Sequence, residues 1–249
     1  MNPGIATTIH LLPHEPCPPA VNSLAWMLSD AERAQVAEFR FASDRAQRLL
    51  ARAFLRILLA RAARGEPHGL DIRPGPWGKP GLSDRDALQF NVSHTRELIA
   101  VAVTAGTSIG VDVEDMLGRR FPLEVCVSCF TANECARLDA MDPAHRANHA
   151  FVLWTRKEAL LKATGHGFRD DPRLIDVLAA DGSFETPARD VFYAGRHWDL
   201  HDSTLLDRWR CSAACAAGGP PPTLVLHDMG PLLNEWARND ERLATQAPI

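Results

Sequence analysis

No stretch of this 249-residue chain is long and apolar enough to span a bilayer. Even Ala53-Phe54-Leu55-Arg56-Ile57-Leu58-Leu59 carries an arginine. No membrane partner is therefore expected. The opening residues Met1-Asn2-Pro3-Gly4-Ile5 lack a basic start followed by an apolar run, so no signal peptide is expected and the chain reads as cytoplasmic. Excess positive charge is absent too: the formal net charge of -4 argues against nucleic-acid binding through bulk electrostatics and leaves open only a local basic patch. Cysteine is scarce, at six residues. Cys126 and Cys129 form a C-x-x-C pair near Cys135, and Cys211 and Cys215 follow far downstream, but no histidine completes a zinc spacing. These thiols read as small buried residues in a reducing compartment. No internal repeat is evident, and the only low-complexity tract is Pro220-Pro221-Pro222.

What remains is an ordinary globular composition, 46% hydrophobic and 23% charged, of a length that suits one large domain or two small ones. Residues 1–28 read as an opening strand and a loop. Ser29-Asp30-Ala31-Glu32 has the capping-box pattern of a helix start. A longer helix opens at Asp44, with Arg45, Arg48, Arg52 and Arg56 forming a stripe opposite Leu49, Leu50, Phe54 and Leu58. Such a stripe is either a solvated face or a contact for a polyanionic ligand. Gly65 and a proline-rich passage containing Gly78-Lys79-Pro80 follow. Leu88–His94, Leu98–Val103 and Ile109–Glu114 read as strands, with the Thr104–Ser108 turn as the boundary between halves 1–106 and 107–249. In the third strand Asp112 and Glu114 share one face. Thr131-Ala132-Asn133-Glu134 is a second capping box, and Asp142-Pro143 opens a helix that Gly165 and Gly167 close. The C-terminal third, including Leu174–Leu178, reads as short strands, and the last residues as a frayed tail.

The helix from Pro143 carries Trp154, Glu158 and Lys162 at i, i+4 and i+8, on one face. Glu followed four residues later by Lys is also an ordinary helix-stabilising pair. Asp112, Glu114 and Glu158 together suit a hard divalent cation such as Mg²⁺, which takes oxygen ligands and leaves room for substrate phosphates. A lone D-x-E on a strand is more simply an exposed face. Lys162 would then neutralise charge on a leaving group, and Lys79, His94 and the arginine stripe would add phosphate contacts. This combination points to phosphoryl-type chemistry on a polyanionic substrate.

The ordered set Gly78-Lys79-Pro80, Phe90-Asn91-Val92-Ser93-His94, Gly110-Val111-Asp112-Val113-Glu114, Phe130-Thr131-Ala132-Asn133-Glu134 and Trp154-x-x-Lys157-Glu158-x-x-x-Lys162 resembles the Sfp-type 4′-phosphopantetheinyl transferases. The resemblance covers residues 29–168. It implies an α+β fold of two similar pseudo-symmetric halves, each a small mainly antiparallel sheet with a long helix, and a cleft between them. It implies transfer of the phosphopantetheine arm of coenzyme A to a serine of an apo acyl or peptidyl carrier protein, releasing adenosine 3′,5′-bisphosphate, by a monomer using Mg²⁺. Carried over by position, Asp112, Glu114 and Glu158 match the metal ligands, with Asp112 also near the cofactor. Glu158 matches the base and Lys162 the group that stabilises the leaving pyrophosphate. Lys79, Ser93 and His94 match phosphate contacts, and Glu134 a position near the site. The sequence departs from the family in the first helix: Arg33 matches one of two basic residues, Val36 falls near the other, and Arg40 and Arg48 are the candidates to compensate. Carrier docking is expected near Phe121, Val125 and Val127. Two rival readings are a metal-dependent nuclease and a catalytically inactive carrier-binding module.

Overall fold

Two runs of elements follow the same order along the chain. In this computed structural model, which describes residues 6–231 apart from 17, 19, 20, 76, 84–87, 118–120 and 122–127, the first run is strand β1 (Thr8–Pro13), helix α1 (Asp30–Ala37) and helix α2 (Ala42–Ala63). Strands β2 (Ile72–Pro74), β3 (Pro80–Leu82), β4 (Leu88–His94) and β5 (Leu98–Ala105) come next. The second run is β6 (Gly110–Asp115), α3 (Ala132–Asp139) and α4 (Pro143–Thr164), followed by β7 (Ala188–Tyr193), β8 (Arg196–Leu205), β9 (Trp209–Ala216) and β10 (Thr223–Leu226). The lengths match pair by pair: 6 residues in β1 and β6, 8 in α1 and α3, 22 in α2 and α4. The repeat is one of elements, so a search of the letters misses it.

Local chemistry explains the helix starts. Ser29 and Thr131 each accept from the backbone of a glutamate three residues on, and that glutamate's side chain returns to the cap backbone. Asp142 caps α4 with Pro143 behind it, and Gly165 ends it in the left-handed region, φ 77°. Strand order is β10-β1-β5-β4 in one sheet and β6-β9-β8-β7 in the other, with β2 and β3 a separate antiparallel pair. The small antiparallel sheets and long helices are the expected α+β class.

The chain forms two compact units. One comprises 1–9, 72–95 and 100–223; the other 10–71, 96–99 and 224–249. In the first, α4 lies on β6 and β9, and Phe151, Leu160, Leu161, Trp198 and Leu200 form the centre of its core. In the second, α2 packs on α1 and on the turn around Val21–Met27.

Several expectations change. Leu174–Leu178 is not a strand: Pro172–Leu174 is a short 3-10 turn, and the carbonyls of Pro172 and Ile175 turn inward to the Lys157 ammonium. The arginine stripe is neither solvated nor open to a polyanion at its C-terminal end, because Arg56 is only 1% exposed and paired with Glu32. Phe121 offers no docking surface, since it packs against Phe130, Phe151 and Trp154 in the core. Val125, Val127, Cys126 and the expected frayed tail lie outside the described residues. Cys129, Cys135, Cys211 and Cys215 are free thiols.

Candidate active site

Gly110 brings strand and helix together. A Cβ on it would stand 1.9 Å from the Ala159 carbonyl oxygen and 2.5 Å from the Ala163 nitrogen, so only glycine permits this approach of α4 to β6. Two residues on, Asp112 shares the Gly110 face, and Glu114 follows. The helix offers Lys162, Glu158 and Trp154 in the opposite direction. Lys162 Nζ donates to Asp112 Oδ1 at 2.6 Å. Trp154 Nε1 donates to Glu114 Oε1 at 3.0 Å. Glu158 stands between these two contacts.

The Glu158–Lys162 helix pair does not form; Lys162 turns to Asp112 instead. Among the described residues nothing donates a hydrogen bond to the Glu158 carboxylate. Burial, then the Asp112 carboxylate, push its pKa up to about 7, with Glu114 adding to the effect and Lys162 opposing it. Burial also raises Asp112, against the pull of Lys162 and the hydrogen bond from Ser93. A carboxylate near neutrality, half-buried and free to accept, has the properties of a general base.

Ser93 is fully engaged. Its hydroxyl donates to Asp112 Oδ1 at 2.9 Å and accepts from Lys162 Nζ at 3.1 Å and from the Val113 N–H at 3.3 Å. Asn91, two residues earlier on β4, accepts from the Val111 N–H at 3.0 Å. The Lys79 ammonium donates to the carbonyls of Ile109, 3.0 Å, and Ala163, 2.8 Å, and burial brings its pKa down to about 8. His94 is half-buried at the end of β4. Thus Lys79, Ser93, Asp112, Glu114, Glu158 and Lys162 belong to one compact unit. Arg40 and Arg48 belong to the other, over the rings of Phe41 and Phe39.

Two residues carry more than the sequence suggested. Asn91 had no assigned task, although its place two residues before Ser93, on the same face of β4, was the available signal. Glu134 is fully buried and does more than cap its helix: it pairs with Lys157 at 2.8 Å and accepts from the Val177 N–H at 2.9 Å.

Among the described residues no three His, Cys, Asp or Glu side chains are already gathered to hold a metal ion. The donor set nevertheless suits one. Asp112 Oδ2 is buried with no hydrogen-bond partner, and Asp112 and Glu114 both press on the unpartnered Glu158. A hard cation would relieve that repulsion and satisfy the orphan oxygen.

Two family profiles match consecutive stretches of the chain. Residues 14–106 match the profile described as 4′-phosphopantetheinyl transferase, N-terminal, and residues 108–214 match that of the 4′-phosphopantetheinyl transferase superfamily. A Synechocystis sp. protein named as a candidate 4′-phosphopantetheinyl transferase is 35% identical over 197 residues, covering 76% of this chain and 78% of its own length. The transferase HetI of Nostoc sp. is 33% identical over 59% of this chain and 63% of its own. The 4′-phosphopantetheinyl transferase of Bacillus subtilis is 26% identical over 56% and 61%.

Proposed function

This chain belongs to the 4′-phosphopantetheinyl transferase superfamily, and from that premise we propose that it moves the 4′-phosphopantetheine arm of coenzyme A onto a serine of an apo acyl or peptidyl carrier protein. The serine oxygen forms a bond to the phosphorus that bears pantetheine, the pyrophosphate P–O bond breaks, and adenosine 3′,5′-bisphosphate leaves. A serine hydroxyl is a poor nucleophile at neutral pH, so a base must take its proton. Glu158 takes it, directly or through a water.

The observation that carries this reading is the Glu158 carboxylate, with no hydrogen-bond donor among the described residues, one helical turn from the Lys162 that holds Asp112. Lys162 reaches the leaving pyrophosphate from its place on Asp112 and offsets the developing charge. His94 and Lys79 contact the nucleotide phosphates, Lys79 after exchanging at least one of its carbonyl partners for them, and Arg40 and Arg48 serve the 3′-phosphate. Asp112, Glu114 and Glu158 would hold Mg²⁺, which when bound draws charge from the pyrophosphate. The half 1–106 carries nucleotide contacts and 107–249 the acid–base and metal residues. The enzyme works as a cytoplasmic monomer, on a carrier from a polyketide, nonribosomal peptide, siderophore or fatty-acid system. Neither matched profile nor relative gives support to the nuclease or inactive-module readings.

The test is direct. Purified protein is mixed with coenzyme A, Mg²⁺ and a panel of apo carrier proteins, and the carriers are weighed by intact mass spectrometry. A gain of one phosphopantetheine on at least one carrier is expected; no gain on any carrier would overturn the reading.

A further inference from the structure

Among the described residues, strand β6 has β9 on one side and no strand on the other. Antiparallel pairing with β9 engages alternate residues, which leaves the main-chain groups of Ile109, Val111 and Val113 facing the open side. An open edge inside a protein normally needs another strand or some other partner for each group. Here three side chains take that place in register. Lys79 Nζ meets the Ile109 carbonyl, Asn91 Oδ1 the Val111 N–H, and Ser93 Oγ the Val113 N–H. Asn91 and Ser93 are both buried, two apart on β4, so their spacing repeats that of the two amides they serve. Asp112 lies between those amides, and the same Ser93 hydroxyl also donates to its carboxylate.

We propose that Asn91 and Ser93 are positioning residues which act as a substitute strand, fixing the β6 main chain on both sides of Asp112 and thereby the place of the Asp112–Lys162 pair. Ser93 then serves the transfer reaction through Asp112 rather than by touching a phosphate. This rests on the transferase reading only for its kinetic consequence; the structural claim stands on the hydrogen bonds.

The experiment has two arms. Native-state amide hydrogen exchange on the free protein follows Val111 and Val113 in Ser93→Ala and Asn91→Ala. Ser93→Ala should speed exchange at Val113 by about tenfold while Val111 stays slow, and Asn91→Ala should do the reverse, as expected when one such bond is lost. Ser93→Thr and Asn91→Asp keep an acceptor and should restore protection; if the alanine variants do not fold, loss of protection in these two variants overturns the substitute strand. In the transfer assay, Ser93→Ala should lower kcat about tenfold or more with KM for coenzyme A within about twofold, the pattern of a group that acts on the transition state through another. Unchanged exchange at both amides in the alanine variants overturns the substitute strand even if transfer proceeds. A loss confined to KM for coenzyme A, with Val113 still protected, would return Ser93 to the role of phosphate ligand. Altered exchange in a chain that transfers nothing would uphold the strand and reject the transferase reading.

Discussion

The buried acid–base clamp of α1 and α2 reappears in α3 and α4 with one residue changed. Glu32, at the third position of the first capping box, pairs with Arg56 at 2.7 Å, and Arg56 also donates to the carbonyls of Pro67 and Leu70. Glu134, at the same place in the second box, pairs with Lys157, which donates to the carbonyls of Pro172 and Ile175. Each clamp thus ties a capping box, a long helix and a proline-led turn. Around these matching frames the chemistry diverges. The third residue of β1 is His10 where β6 has Asp112, and His10 lies near Arg61 where Asp112 meets Lys162. The residue after the clamp cation is Ile57 in α2 and Glu158 in α4. One frame holds neutral or basic groups at these positions, the other two carboxylates and a lysine. The scaffold is therefore separable from the reaction, and a few side chains decide which copy carries it.

The largest effect that tests this contrast is at Glu158. Glu158→Gln keeps the shape and removes the base, so kcat should fall by about 10²–10⁴-fold, while coenzyme A binding by calorimetry changes far less. Near-normal turnover would remove the difference between the two copies. Next are the clamps themselves. Removing one partner of a buried ion pair costs about 3–5 kcal/mol, so Glu32→Ala and Glu134→Ala should each shift urea unfolding by that order. A large loss at one and none at the other would mean the two clamps only look alike.

Proton linkage should run in opposite directions in the two copies. Glu158 has a raised pKa in the folded chain, so its stabilising contribution is present at acid pH and is lost as pH rises from about 4.5 to about 7. His10 is lowered to about 4 by burial, with His227 and Arg61 adding to the effect, so its contribution is present above about 6.5 and is lost as pH falls through about 4. Unfolding curves from pH 4 to 8 should therefore lose their downward slope toward neutrality in Glu158→Gln and their acid weakening in His10→Phe. The smallest effect belongs to Arg52, which adds a partly exposed second contact to Glu32 at 3.4 Å, a contact absent from the other clamp among the described residues. Arg52→Ala should cost no more than about 1 kcal/mol.

Both capping boxes, the α4 cap and the strands β4, β5 and β6 were legible because each is written in local spacing. So was the stripe of Trp154, Glu158 and Lys162, whose partners on β6 follow from the alternation of Asp112 and Glu114. The partners of Arg56 and Lys157 were not legible. A buried cation is identified by what lies opposite it, and Glu32 and Glu134 are more than 20 positions away in sequence. Glutamates that already had a capping task gave no sign of a second one. Ser93 shows the same limit from the other side. Its place beside the site was readable from its motif, but its three hydrogen bonds depend on how closely β4 and β6 lie together.

Gly110 gives the site an adjustable dimension. Because the gap between β6 and α4 is set by a missing methyl group, the nature of residue 110 acts as a shim beneath the catalytic helix. An alanine there would lift α4 off the strand and pull Glu158 and Lys162 from Asp112 together, without altering any group that takes part in the chemistry.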